Sequence, residues 1–242
     1  MTDPQTSSDR APDERIICAL DVPTTTEAAA LAERIGDAIG FYKVGLQLFA
    51  VDGMALAREL KAQGRKIFLD WKLHDIGATV EKATANLAGA DCDLLTVHAR
   101  PQVMAAAARG AAGSKMKVLG VTVLTSLTAE DLAADDHSLS PASLVERRVR
   151  QALEAGIDGV VSSPHEAARA RALAVEAGRP DFLIVTPGVR PVGAALDDQA
   201  RAATPQAALR AGATHLVIGR PITAATDPRA AAQEIAQQIA LI

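Results

Sequence analysis

An apolar stretch in the first third of the chain is interrupted by charged side chains. It reads FLDWKLHD and places Asp70 and Lys72 two residues apart, with Asp75 three residues further on. Side chains two apart on a strand point to the same face, so this carboxylate and this ammonium should meet. Buried opposite charges need nearby partners, and Lys43 is a candidate for a further member. Such a chain keeps lysines protonated and suits proton donation, whereas the simpler alternative is a solvated charge cluster on a loop.

Two glycine-containing segments in the last quarter of the chain carry arginines. They are TPGVRP, which ends in Arg190 and a proline, and GRP, which contains Gly219 and Arg220. Glycine allows a close backbone approach, and a guanidinium offers a forked donor to phosphate oxygens. The pattern indicates a phosphate site, and the alternative is an arginine that pairs with a surface carboxylate.

Eight short apolar runs carry these residues, and Ala-rich segments with helical spacing separate them. The runs are IICALD (16–21), FYKVG (41–45), KIFLDWK (66–72), LLTVH (94–98), KVLGVTVL (117–124), GVVSS (159–163), FLIVTPGV (182–189) and HLVIGRP (215–221). They lack strict alternation, which is typical of strands buried on both faces. Strict βα alternation predicts a single (β/α)8 TIM barrel, with its site at the carboxyl ends of the strands. An open, doubly wound sheet is disfavoured, because no GxGxxG follows the first strand.

Helix start and stop signals agree with this alternation. Thr24 with Glu27 fits a capping box, Ser163 precedes a proline at a predicted first helical position, and Asp227 precedes the last helix. Glycines 64, 156, 178 and 212 stand where helices should end before the next strand.

Composition limits the function classes. The 242 residues have a net charge of −4 and only four Phe, one Trp and one Tyr, which disfavours nucleic-acid binding. No apolar run is long enough for a membrane helix. The two cysteines, Cys18 and Cys92, lack metal-site spacing and favour a reducing, cytoplasmic location. Residues 1–14 are polar and are predicted to form a loosely ordered extension, which leaves residues 15–242 for the barrel.

Seven segments resemble the bacterial orotidine 5′-monophosphate decarboxylase family, from about Ile16 to the C-terminal region. They are ALD (19–21), KVG (43–45), FLDWKLHDI (68–76), VTVLTS (121–126), DGVV (158–161), VTPGVRP (185–191) and VIGRP (217–221). DxKxxD alone also occurs in sugar-phosphate enzymes with related barrels. Its combination with TPGxRP, DQ and IGRP is much more specific.

The resemblance implies a cofactor-independent decarboxylation of orotidine 5′-monophosphate to uridine 5′-monophosphate (UMP), the last step of de novo UMP biosynthesis. Lys72 would protonate the carbon that loses carbon dioxide, and Asp70 would lie beside the substrate carboxylate. Lys43 and Asp75 would complete the charge chain, with Asp75 and Thr79 reaching the partner's site in a homodimer. The implied substrate-binding residues are Asp21, Lys43, Ile76, Thr79, Thr125, Arg190, Gln199, Gly219 and Arg220.

The chain departs from the family pattern at two places. DIGAT stands where many relatives have DIPNT, so Gly77 and Ala78 loosen the loop after strand 3. Arg100 stands shortly after His98, where the family often has a Gly-rich stretch. His98 is expected to line the mouth or to support the residues that line it, rather than to catalyse. Residues 190–201 suit a lid that closes over the phosphate.

Two other functions stay open at this point. One is a metal-dependent sugar-phosphate decarboxylase or aldolase of the same barrel group, which would need Mg²⁺. The other is a non-catalytic phosphate-binding relative, although such a protein should have lost at least one position of the charge chain. The sequence contains no recognisable metal-ligand set and no dinucleotide fingerprint.

Overall fold

Eight parallel strands close into a barrel in chain order, which confirms the predicted fold. The computed structural model describes residues 11–124, 128–134, 138–191, 203–240 and 242. The strands are β1 (Ile16–Ala19), β2 (Phe41–Gly45), β3 (Lys66–Leu73), β4 (Leu94–His98), β5 (Lys117–Val121), β6 (Gly159–Val161), β7 (Leu183–Thr186) and β8 (His215–Ile218). Each predicted apolar run coincides with one of them, although β3 extends one residue beyond its run, to Leu73. β8 pairs with β1 to complete the closure.

The helices lie outside the barrel in alternation with the strands. They are α1 (Thr25–Ile35), α2 (Leu46–Phe49), α3 (Gly53–Ala62), α4 (Gly77–Ala88), α5 (Pro101–Ala111), α6 (Ala129–Ala134), α7 (Pro141–Ala155), α8 (Ala167–Glu176), α9 (Pro205–Arg210), α10 (Arg220–Thr223) and α11 (Pro228–Ile239). A 3-10 turn, Gly36–Ala38, follows α1. None of the helices in the described part of the chain is long and apolar enough to cross a membrane.

Most of the predicted helix ends are observed. Thr24 accepts a hydrogen bond from the Glu27 N–H, and Asp227 accepts one from the Ala230 N–H. The four glycines predicted to end helices all have positive φ, which L side chains rarely adopt. The predicted cap at Ser163 is wrong, because its side chain is buried, residues 164–166 form a turn, and α8 begins only at Ala167.

Aliphatic side chains dominate the two hydrophobic clusters of the core, as the scarcity of aromatic residues requires. The interior of the barrel is packed by Ile17, Ala19, Phe41, Phe68, Leu94, Leu119, Val185 and Val217. At the floor, the Phe41 and His215 rings meet edge to face with centroids 6.1 Å apart. Glu14 forms an ion pair with Lys66 beside them, at 2.7 Å. This filled interior supports the charged layer above it, at the carboxyl ends of the strands.

Candidate active site

A cavity of about 550 Å³ lies at the carboxyl ends of the strands, above the apolar interior. Val121 of β5, Val161 of β6 and Val217 of β8 contribute to its apolar lining. The charged residues that line it are Asp21, Lys43, Asp70, Lys72, Arg190 and Arg220. With Gly219, which also lines it, seven of the residues predicted from the sequence are gathered in one space.

Four charged side chains form a continuous chain across this cavity. The Lys43 Nζ lies 2.8 Å from Asp21 Oδ1 and 3.5 Å from Asp70 Oδ2. The Lys72 Nζ lies 2.8 Å from Asp70 Oδ1. The predicted meeting of Asp70 and Lys72 is thus confirmed, and Lys43 belongs to the same chain.

Burial and neighbouring charges oppose each other along this chain, and the charges prevail. Burial disfavours the Lys43 ammonium, but the Asp70 and Asp21 carboxylates outweigh it and raise the pKa of Lys43. Burial likewise disfavours the Asp70 carboxylate, but Lys43 and Lys72 outweigh it and hold the pKa of Asp70 below its ordinary value. The central pair therefore stays charged at neutral pH.

A backbone irregularity in β3 sets the direction of Lys72. The pairing register between β3 and β4 shifts between Leu69 and Leu73, and Lys72 has a φ of 50°, in the left-handed region. A non-glycine residue in this region is strained and needs support from its surroundings. Bulges of this kind redirect a side chain near active sites, and here the ammonium meets Asp70.

The Thr96 hydroxyl, which the sequence analysis missed, supports both residues. Thr96 lies on β4, is fully buried, donates to Asp70 Oδ1 at 3.0 Å and accepts from the Lys72 N–H at 3.0 Å. A signal was present, because Thr96 is polar within the run LLTVH and shares its inward face with Leu94 and His98.

Gly45 is a second residue that the sequence analysis did not single out. A Cβ added there would lie 2.6 Å from Asp21 Oδ1 and 2.8 Å from Lys43 Nζ. Its backbone has φ −90° and ψ −176°, which other residues also adopt. Glycine is therefore needed for the space that the ion pair occupies, not for its backbone conformation.

The loops after β7 and β8 carry the two arginines predicted to bind phosphate. Arg190 is buried after β7, where its N–H donates to the Ala203 carbonyl at 2.9 Å. Arg220 is exposed at the first position of α10, directly after Gly219. Both arginines and both glycines of these loops, Gly188 and Gly219, line the cavity.

Asp75, Ile76 and Thr79 stand apart from the charge chain of the same polypeptide. All three are exposed, and Ile76 exposes 72% of its surface. The Asp75 carboxylate accepts the Ile76 N–H at 2.6 Å and forms no ion pair with any described residue. The structure of one chain thus leaves these predicted residues outside the cavity.

His98 ends β4 next to the charge chain but not among the residues that line the cavity. It is half-buried, with its ring centroid 5.2 Å from that of His74. Burial, followed by the charges of His74, Lys72 and Arg100, lowers the pKa of His98. A neutral imidazole at this place is poorly suited to donate a proton at neutral pH.

Three further predictions concern residues outside the described ranges. They are Thr125 near the pyrimidine, Gln199 at the phosphate and most of the predicted lid, residues 190–201. The first ten residues of the predicted extension also lie outside these ranges.

Comparisons with known proteins give a consistent result. The family model "Orotidine 5′-phosphate decarboxylase / HUMPS family" matches residues 14–235. An orotidine 5′-phosphate decarboxylase of Caulobacter vibrioides is 63% identical over 228 residues, covering 94% of this chain and 98% of that protein. One from Cereibacter sphaeroides is 54% identical and covers 94% of this chain and 97% of that protein. A crystal structure of the Lactobacillus acidophilus orotidine 5′-phosphate decarboxylase matches with a TM-score of 0.81 and 36% identity, covering 94% of this chain and 99% of that one.

Proposed function

The chain belongs to the orotidine 5′-phosphate decarboxylase / HUMPS family, and we propose that its Asp21–Lys43–Asp70–Lys72 chain carries out the decarboxylation. Its activity is that of a carboxy-lyase of pyrimidine biosynthesis, which converts orotidine 5′-phosphate to UMP. The observation that carries the mechanism is the line of alternating charges, with contacts of 2.8, 3.5 and 2.8 Å, inside the cavity.

Lys72 is the proton donor in this mechanism. The bond between the ring carbon and the carboxylate breaks, carbon dioxide leaves, and the electron pair stays on the ring carbon. No carbonyl is positioned to delocalise that pair, so a facing cation must stabilise it. The Lys72 ammonium supplies the charge and then the proton, which yields UMP, and water restores the proton to the amine.

Asp70 lies beside the substrate carboxylate in this mechanism. Its low pKa keeps it charged, so the two carboxylates repel each other until carbon dioxide leaves. Repulsion of this kind disfavours the bound substrate relative to the transition state. Lys43 holds Asp70 from the other side and holds Asp21 towards the ribose.

Phosphate binding takes place at the loops after β7 and β8. Arg190 and Arg220 donate to the phosphate oxygens, and Gly219 lets the backbone approach them. Binding energy from this unreactive group positions the reacting carbon and is realised in the transition state. Gln199 and the segment that follows Arg190 complete this phosphate site as a closing lid in our proposal.

A homodimer completes the site. Four large apolar side chains are between 44% and 72% exposed: Leu46 and Phe49 in α2, Val51 directly after it, and Ile76 between β3 and α4. Exposed apolar residues grouped beside a site favour an interface. Asp75 and Thr79 border this group, so pairing of two copies would bring the Asp75 carboxylate and the Thr79 hydroxyl to the partner's charge chain.

We also propose a cytoplasmic location. Cys18 and Cys92 are both free thiols and both are buried. Unpaired cysteines are typical of a reducing compartment, where a nucleotide-synthesising enzyme meets its substrate.

The activity is tested by following the ultraviolet absorbance of orotidine 5′-phosphate with purified protein in excess EDTA. We expect full turnover without added metal. Activity that requires Mg²⁺ and a sugar phosphate would instead establish the metal-dependent alternative. Binding of phosphate compounds without turnover of either substrate would indicate a non-catalytic relative.

A further inference from the structure

One buried hydroxyl contacts both members of the Asp70–Lys72 ion pair. Thr96 Oγ1 lies 3.0 Å from Asp70 Oδ1 and 3.0 Å from the Lys72 backbone nitrogen. The Lys72 Nζ lies 2.8 Å from the same carboxylate oxygen. Thr96 itself has no exposed surface, so no solvent competes for these contacts.

The hydrogen-bonding capacity of this hydroxyl is directed to these two partners. A threonine hydroxyl has one proton to donate and two lone pairs to accept with. The proton goes to Asp70 Oδ1, because the other acceptor nearby, the Leu69 carbonyl, is more distant at 3.5 Å. A lone pair accepts the Lys72 N–H, which the shifted register of β3 makes available.

We propose that Thr96 is a positioning residue that holds the Asp70 carboxylate and the strained Lys72 backbone in one arrangement before and after proton transfer. The inference rests on the proposed role of Lys72 as proton donor. The backbone contact matters because Lys72 has a φ of 50°. A strained conformation persists only where its surroundings determine it.

The contact with Asp70 matters at the moment of proton transfer. The ammonium that holds Asp70 Oδ1 is also the proton donor, so Asp70 loses this cation when Lys72 becomes neutral. Thr96 is a neutral donor on the same oxygen and does not take part in the transfer. It therefore keeps one hydrogen bond on Oδ1 while Lys72 is engaged with the ring carbon.

Thr96→Val tests this role, since it keeps the branched shape and removes the hydroxyl. We expect kcat to fall about 10- to 100-fold with KM within about threefold, because the phosphate and ribose contacts are untouched. The acidic limb of the kcat profile should move to higher pH, because Asp70 loses a donor that favours its charged form. Thr96→Ser should recover at least about a third of kcat and the original pH profile.

Thr122→Val is the matched control. Its hydroxyl is also buried at a strand end and donates to the Val161 carbonyl at 2.9 Å, away from the ion pairs. This variant should keep the kcat and the pH profile of the original enzyme. If Thr96→Val does not fold, Thr96→Cys replaces it, because a thiol is a weak donor of similar size and should give the same loss.

Lys72→Ala distinguishes a failure of the positioning role of Thr96 from a failure of the proton-donor role of Lys72. An inactive Lys72→Ala beside a fully active Thr96→Val would overturn the positioning role alone. Activity in Lys72→Ala would overturn the proton-donor role and the inference with it. A loss of kcat in Thr122→Val as large as that in Thr96→Val would also overturn the inference, since removal of any buried threonine hydroxyl would then produce the same loss.

Discussion

Gly45→Ala places a methyl group directly against the Asp21–Lys43 ion pair. The added Cβ would lie 2.6 Å from the carboxylate oxygen and 2.8 Å from the ammonium nitrogen. The backbone at Gly45 is extended, so alanine adopts it without strain. The substitution therefore tests the ion pair while leaving the fold intact.

The size of the effect follows from the displacement that the methyl group imposes. If the Lys43–Asp21 distance opens from 2.8 Å to about 3.8 Å, their attraction weakens by about 1.6 kcal/mol at an effective dielectric constant of about 20. Because Asp21 is 54% exposed, solvent screening reduces this value. We expect kcat/KM for orotidine 5′-phosphate to fall about 3- to 10-fold.

Steady-state kinetics and thermal unfolding of the same preparation provide the measurement. Gly89→Ala is the matched control, since its added Cβ meets nothing closer than 3.5 Å at the end of α4. The melting temperature of Gly45→Ala should stay within about 3 °C, because neither backbone strain nor core packing changes. An unchanged kcat/KM in Gly45→Ala would refute the reasoning that this ion pair contributes to catalysis.

Three further predictions concern other parts of the molecule. Arg220→Ala should lower kcat/KM at least about 100-fold for orotidine 5′-phosphate and less than about threefold for orotidine, and equal losses would exclude a phosphate contact. Mixed Asp75→Ala and Lys72→Ala subunits, each inactive alone, should regain about a quarter of full activity, because half of the dimers are hybrids and each hybrid has one intact site of two. No recovery after verified exchange of subunits would contradict an active site that is shared between two subunits. Burial lowers the pKa of His215 from 6.5 to about 4. The free energy of unfolding should therefore fall as the pH is lowered from about 6.5 to about 4, because the unfolded chain binds a proton at this histidine before the folded chain does. His215→Gln should flatten this slope in urea titrations, and an unchanged slope would assign it to other groups.

The sequence predicts the barrel and most of the site because both follow from local periodicity. Each apolar run coincides with a strand, and the position of a charged residue at the end of a strand fixes where it points. Lys43 and Asp70 therefore meet as expected. Lys72 also meets Asp70, but through the irregular backbone of β3 rather than through regular strand geometry. The two loops that carry Arg190 and Arg220 into the cavity are likewise predicted from a glycine and an arginine that follow a strand.

The features that escape prediction depend on contacts between strands. The left-handed φ of Lys72 results from the register shift against β4, which no pattern within β3 reveals. Thr96 contacts Asp70 and Lys72 only because β4 lies beside β3 in the folded barrel. Ser163 satisfies the sequence rule for a cap, yet its side chain is buried. Asp75 is near the charge chain in sequence but outside it in the folded subunit.

The most direct test of the account compares Lys72→Ala with the unaltered enzyme in single-turnover decarboxylation of orotidine 5′-phosphate. Circular dichroism and UMP affinity establish that the variant folds and binds. We predict a loss of at least about a thousandfold in rate with UMP affinity within about threefold, because the phosphate and ribose contacts remain. A variant that decarboxylates within tenfold of the unaltered enzyme would contradict the assignment of Lys72 as proton donor.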